Sequence, residues 1–168
     1  MKRIGLIAVV FLLVFTSVNT YAQKVKLGYV KVEEIIKLMP DRTKAQKELT
    51  EYSKQLEQQL QTMNQEFEKK YQEYEANFET WGEALRKDKE MEIQNLQQRI
   101  QEFQMSAQED LQTKESELLK PIYDKINKAI NDVGDENGYT YIYDNSTLLY
   151  RSDDAENITP DVKEKLGL

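Results

Sequence analysis

From Asp41 to Asn137 the chain runs for 97 residues with only two glycines, Gly82 and Gly134, and one proline, Pro121. The stretch holds 22 acidic residues, 14 basic residues and 14 glutamines. A segment of this composition is either long helix or disordered chain, because it has too few apolar side chains to build a compact core. Periodicity decides between the two. Apolar residues fall at Leu49, Tyr52, Leu56, Leu60, Met63, Phe67, Tyr71, Tyr74, Phe78 and Trp81. Steps of three and four place them on one helical stripe. The spacing from Leu49 to Leu60 to Tyr71 is an 11-residue repeat, which predicts a nearly straight or slightly right-handed association. A thinner stripe follows at Ile93, Leu96, Ile100, Phe103, Ala107 and Leu111, then at Leu118, Ile122, Ile126, Ile130 and Val133. It lapses at Lys114 and Glu115, where packing is expected to be loose.

A single helix of that length would extend about 145 Å at 1.5 Å per residue. The sequence favours a fold-back instead. Thr80-Trp81-Gly82-Glu83 has the form of a capping box, with Gly82 lowering helix propensity beside it. Pro40 lies 42 residues before Gly82 and Pro121 lies 39 after it, so the two halves match in length. The expectation is an antiparallel helical hairpin over residues 41–120 with its apex in 76–84, each limb roughly 60 Å long. Pro121 removes a hydrogen bond and crowds the preceding turn, so it should kink or restart the second helix. Gly134 or Gly138 is the expected C-cap.

Beyond the helices the pattern changes to a period of two. In Tyr139-Thr140-Tyr141-Ile142-Tyr143 the three tyrosines share one face of a strand. Asp144-Asn145-Ser146 supplies turn chemistry, and Thr147-Leu148-Leu149-Tyr150 reads as a second strand. One more candidate, Val25 to Val30 with Leu27 and Tyr29, lies ahead of the helices. An isolated two-stranded hairpin is marginal in water. Pairing Val25–Val30 with Tyr139–Tyr143 extends it and requires the helices to fold back. Three short strands still leave exposed edges, which further copies of the chain would cover. The fold class expected is therefore mainly α with a small β body, formed by residues 23–40 and 121–168. Thr159-Pro160-Asp161 is the expected start of a short terminal helix, with Thr159 as N-cap and an end near Leu166.

The N-terminus has its own character. Lys2 and Arg3 precede an uncharged apolar run from Ile4 to Val18, and Thr20-Tyr21-Ala22 offers a cleavage site, so residues 1–22 read as a secretory signal peptide. The apolar run, about 15 residues, is short of the roughly 20 that a membrane span needs. Without the leader, 21 basic residues face 30 acidic ones, which argues against nucleic acid as a partner. There is no cysteine and no histidine, so disulfides and the commonest general base and metal ligand are absent. No catalytic set or cofactor site is indicated.

A leader, the strand Lys26-Leu27-Gly28-Tyr29-Val30 leading to Glu33-Glu34-Ile35-Ile36, a Gln/Glu/Lys helical hairpin, then GYTYIYD and an ending ENITPDVKEKL resemble the Skp/OmpH family of periplasmic chaperones. The resemblance implies a homotrimer in which a small β barrel carries pairs of helical arms around a cavity. It implies an ATP-independent holdase in the periplasm that keeps unfolded outer-membrane proteins from aggregating. The oligomerisation strands would carry Leu27, Tyr29, Tyr139, Tyr141, Ile142, Tyr143, Leu148, Leu149 and Tyr150. Candidate client-binding residues are Met63, Phe67, Tyr71, Tyr74, Phe78 and Trp81, which offer weak adaptable contacts unless packing of the hairpin consumes them. In charge the chain departs from the best-known member of that family, which is strongly basic: residues 41–137 sum to −8, which argues against lipopolysaccharide or membrane contact. The alternative function is a structural periplasmic adaptor or spacer that docks on a fixed partner.

Overall fold

A computed structural model describes residues 25–168; the expected leader at 1–22 lies outside the described residues. Strand β1 (Leu27–Val30) is followed by a short helix α1 (Val32–Leu38), by α2 (Pro40–Asn77) and by α3 (Glu83–Asn137). Strand β2 (Tyr141–Asp144), strand β3 (Glu156–Asn157) and helix α4 (Thr159–Leu166) complete the chain. Among the described residues no helix is long and apolar enough to cross a membrane.

Helices α2 and α3 form the expected antiparallel hairpin. Two ion pairs fix its register, Lys70–Glu92 at 2.9 Å and Glu48–Lys114 at 2.6 Å. Both are symmetric about position 81, at 11 and 33 residues from it. The turn occupies 78–82 between the two helices. The expected capping box does not form there. The Thr80 hydroxyl donates to the Asn77 carbonyl at 2.9 Å and so finishes α2, leaving Gly82 in extended conformation as the N-cap of α3. Nor does Pro121 restart a helix, since α3 continues through it to Asn137. Gly138 ends α3 with φ of 66°, in the left-handed region that suits a residue without Cβ.

The sheet has the order β2-β1-β3, with both pairs parallel. Leu27 lies opposite Tyr141 and Tyr29 opposite Tyr143. The predicted pairing of the N-terminal strand with the tyrosine strand is present, and the whole hairpin serves as its crossover. The predicted second strand over Thr147–Tyr150 is not. Asp144 accepts from the Ser146 amide at 3.1 Å and from its hydroxyl at 2.8 Å, which winds Asn145–Thr147 into a 3-10 turn. The chain then crosses to the far side of β1, where Ile158 donates its amide to the Tyr29 carbonyl and buries its side chain completely. A hairpin on the β2 edge would have left Ile158 and Val162 without that core.

The core lies below the sheet. Val30, Ile35, Ile122, Ile126, Val133, Ile158 and Val162 are buried together, and Ile142 packs against their edge. Thr159 departs from its expected role, because its hydroxyl accepts from the Lys31 amide at 3.0 Å and donates to Asn157 Oδ1. Asn157 instead accepts the Thr159 amide at 3.1 Å. The hydroxyl therefore ties the end of β1 to α4 rather than capping the helix it begins.

Two groups of contacts can be tested. A Cβ on Gly28 would stand 2.9 Å from Tyr139 Cε1 and 3.2 Å from Ile158 Cγ2. Gly28→Ala is expected to cost about 1–3 kcal/mol, read as a lower urea midpoint, whereas Gly82→Ala, with open space around it, should not lower it. Ion pairing supplies the second. Lys125 hydrogen-bonds to and faces Asp41, and Lys163 does the same to Glu34, holding both carboxyls below their ordinary values. Depressed carboxyls stabilise the fold above their unfolded values of 3.8 and 4.5, and that stability is lost as pH falls through the folded values. Urea midpoints should be flat from pH 7 to about 5 and drop toward pH 3. An Asp41→Asn, Glu34→Gln variant is expected to show a smaller drop, modest because both groups are exposed.

Candidate functional site

Two surfaces of the molecule are left unfinished by the folding of one chain. The first is the outer face of the sheet. Gly28, Val30 and Ile142 point toward the helices, so the period-2 rule turns Leu27, Tyr29, Tyr141 and Tyr143 the other way. Tyr141 is 57% exposed, and its ring stands 6.3 Å from that of Tyr143. Leu149 is fully exposed and Tyr150 is 84% exposed, on a segment that pairs with no strand among the described residues. Leu148 is half-buried beside them.

The expected trio of tyrosines on one face is split. Tyr139 precedes the strand and turns inward beneath Lys26, whose ammonium lies 3.9 Å from the ring centre. Burial pushes the Tyr139 phenol up, and the neighbouring Glu156 carboxylate adds to the effect. Tyr29 is only 6% exposed because the crossover between β2 and β3 lays Arg151 over its ring at 4.5 Å. Tyr29 and Tyr139 are therefore spent within one chain, while Leu27, Tyr141, Tyr143, Leu149 and Tyr150 remain free to meet another surface.

The second surface is the arm. Two helices bury each other incompletely, and of the arm's stripe only Leu96 and Ile100 are buried distal to the body. Met63, Phe67, Tyr74 and Trp81 are half-buried, and Tyr71 and Phe78 are exposed. Near the turn these rings contact one another: Tyr74 meets Phe78 edge-on at 5.6 Å and Trp81 at 6.3 Å, and Phe67 stacks on Tyr71 at 6.2 Å. Arg86 covers Phe78 at 4.8 Å. The predicted candidates thus form a partly self-satisfied aromatic tip. Trp81, at the turn, has a partner in Tyr74. Where the stripe lapses, Lys114 bridges to Glu48 at 2.6 Å while open hollows on one side include Glu115 in their lining. Strand β3 is the element that sequence reasoning missed, being only two residues long and exposed.

The OmpH family model, "Outer membrane protein (OmpH-like)", matches residues 26–166. No curated protein matches the chain by sequence. Among solved structures, a candidate outer membrane chaperone (OmpH-like) from Caulobacter crescentus CB15 superposes with a TM-score of 0.70. It is 14% identical, over 84% of this chain and 83% of that one. At that identity the likeness speaks for the fold, and it is the same mainly helical architecture with a small sheet. With the model spanning strand β1 to the end of α4, the chain belongs to the OmpH-like outer membrane protein family.

Proposed function

We propose that this protein is a periplasmic holdase that binds unfolded outer-membrane proteins without ATP and assembles as a homotrimer. The observation that carries the reading is the pairing of an uncovered tyrosine- and leucine-bearing sheet face with a long arm whose apolar stripe is only half used. Membership of the OmpH-like outer membrane protein family, with a fold shared by a candidate outer membrane chaperone, supports that reading of the pairing. Copies joined through Leu27, Tyr141, Tyr143, Leu149 and Tyr150 would set their arms around a common space. Half-buried Met63, Phe67 and Tyr74, with exposed Tyr71 and Phe78, would meet a client through many weak contacts. Trp81 would contribute at the entrance. Export by cleavage after Ala22 places the protein in the periplasm, and no catalytic role is proposed.

A stoichiometric excess of residues 23–168 should suppress light scattering when an outer-membrane barrel protein is diluted from urea. Unchanged scattering would sink the holdase reading and favour an adaptor that docks on a fixed partner. Assembly is tested separately by Leu149→Lys with Tyr150→Lys, at positions whose exposure spares the core. Sedimentation should shift from trimer to monomer while circular dichroism stays unchanged, because charges cannot be buried unpaired at an interface. A variant that sediments like the parent would mean that these residues do not join the copies.

A further inference from the structure

The holdase reading leaves open where on the arm a client lies and in what conformation. Three adjoining cavities of 320, 720 and 580 Å³ run along one flank of the hairpin between α2 and α3. The first two share Gln46, Leu49 and Glu115, and the last two share Ser53, Glu57 and Leu111, so they form one continuous groove. It extends along α3 from Tyr123 to Gln101, about 33 Å at 1.5 Å per residue. The floor is the apolar stripe: Leu49, Leu56 and Leu60 from one helix, Phe103, Leu111 and Leu118 from the other.

The rim on α3 carries one charge, Glu115, and across the groove Glu33 and Glu57 stand with Lys37, Arg42 and Lys54, so the lining is neutral overall. Gln101, Gln104, Gln108 and Gln112 line the α3 rim at steps of three and four, with Met105 63% exposed among them. Elsewhere on the arm Gln72, Gln94 and Gln98 each donate to a glutamate four residues away. Among the described residues the arm's other glutamines, the four on the rim among them, make no side-chain hydrogen bond. At 100° per residue, Arg99, Glu102, Asp110 and Glu117 fall on the opposite flank. The bridging residues Glu48, Lys114, Lys70 and Glu92 do not line the groove either.

We propose that this groove holds one strand of an unfolded outer-membrane barrel in extended conformation, apolar face down. The proposal rests on the holdase reading and specifies its site. Free primary amides offer donors and acceptors to a backbone whose own N–H and C=O groups are unpaired, whatever its sequence. A transmembrane β-strand of about 9–11 residues alternates apolar and polar side chains and, at about 3.3 Å per residue, is roughly 30–36 Å long. One such strand matches the groove in length, and its polar face is left toward water. A helical occupant would satisfy its own backbone and leave the glutamines idle. A second copy's arm would bring another segment of net charge −8 against this one.

Because the chain has no cysteine, single thiols can report on the groove. Gln108→Cys on its rim and Thr113→Cys on the opposite flank are each labelled with an environment-sensitive fluorophore in residues 23–168. The probe is a ten-residue peptide that alternates Leu and Thr between terminal lysines, compared with the same composition arranged at helical spacing. Emission from position 108 should shift to the blue with the alternating peptide, emission from 113 should not, and the helical-spacing peptide should half-saturate at about tenfold higher concentration. Gln104→Glu with Gln108→Glu should weaken suppression of barrel aggregation, and Thr113→Glu should leave it intact. Equal response at both labels, preference for the helical-spacing peptide, or a label at 108 already blue-shifted by a neighbouring copy would each overturn the groove assignment. If the parent suppresses aggregation while the label at 108 stays silent, the groove alone falls; if the parent suppresses nothing, the holdase reading falls and takes the groove with it.

Discussion

Pairing β1 with β2 joins residues more than a hundred positions apart, as the bond from the Lys26 amide to Thr140 Oγ1 shows with its separation of 114 residues. Closing a flexible loop of that size would cost on the order of 4 kcal/mol beyond a constant. Two stiff helices in register reduce the problem, because the hairpin returns the chain to its starting point before the strands meet. The register in turn is held by Lys70–Glu92 and Glu48–Lys114, each equidistant from the turn. Central placement of β1 then gives the C-terminal segment an edge to join, and Ile158 and Val162 complete the core beneath it.

The consequence is an uneven distribution of packing. Near the sheet, α1, α4 and the end of α3 enclose Ile35, Ile122, Ile126 and Ile158 with almost no exposure. Farther out, two helices alone surround few side chains, Leu96 and Ile100 among them, and the rest of the stripe stays half-covered. A body that is dry and an arm that is partly wet give one chain both a fixed base and an adaptable surface. Local opening should therefore be cheapest in the arm, where few buried contacts oppose it.

Much of this was legible in the residues. The stripe at steps of three and four specified the helices, matched distances from Gly82 to the two prolines specified the fold-back, and alternation in Tyr139–Tyr143 specified a strand that needs β1. What failed was local polar chemistry with more than one outlet. Thr80 can begin a helix or end one, and the Asn77 carbonyl, which also accepts the Thr80 and Trp81 amides, decided it. Thr159 likewise bonds across to Lys31 instead of inward. Leu148-Leu149-Tyr150 has the composition of a strand, but strand formation needs a partner edge, and the chain spends its free edge on Glu156–Asn157. The glutamine rim was visible as spacing, yet its meaning depended on which flank α2 leaves open.

Charge completes the arrangement. An arm that is acidic overall resists close approach by its copies, over a range set by salt. Such repulsion alone would make a poor binding surface, since it acts on acidic chains of every kind. Charges lining the groove balance, Glu33, Glu57 and Glu115 against Lys37, Arg42 and Lys54, whereas the other flank of α3 carries Glu102, Asp110 and Glu117 against Arg99 alone. On the holdase reading, the same helix would keep neighbouring copies at a distance with one flank and hold a neutral, half-apolar chain with the other. Adding carboxylates to the glutamine rim would remove that distinction without altering the fold, because glutamate and glutamine have nearly equal helix propensity.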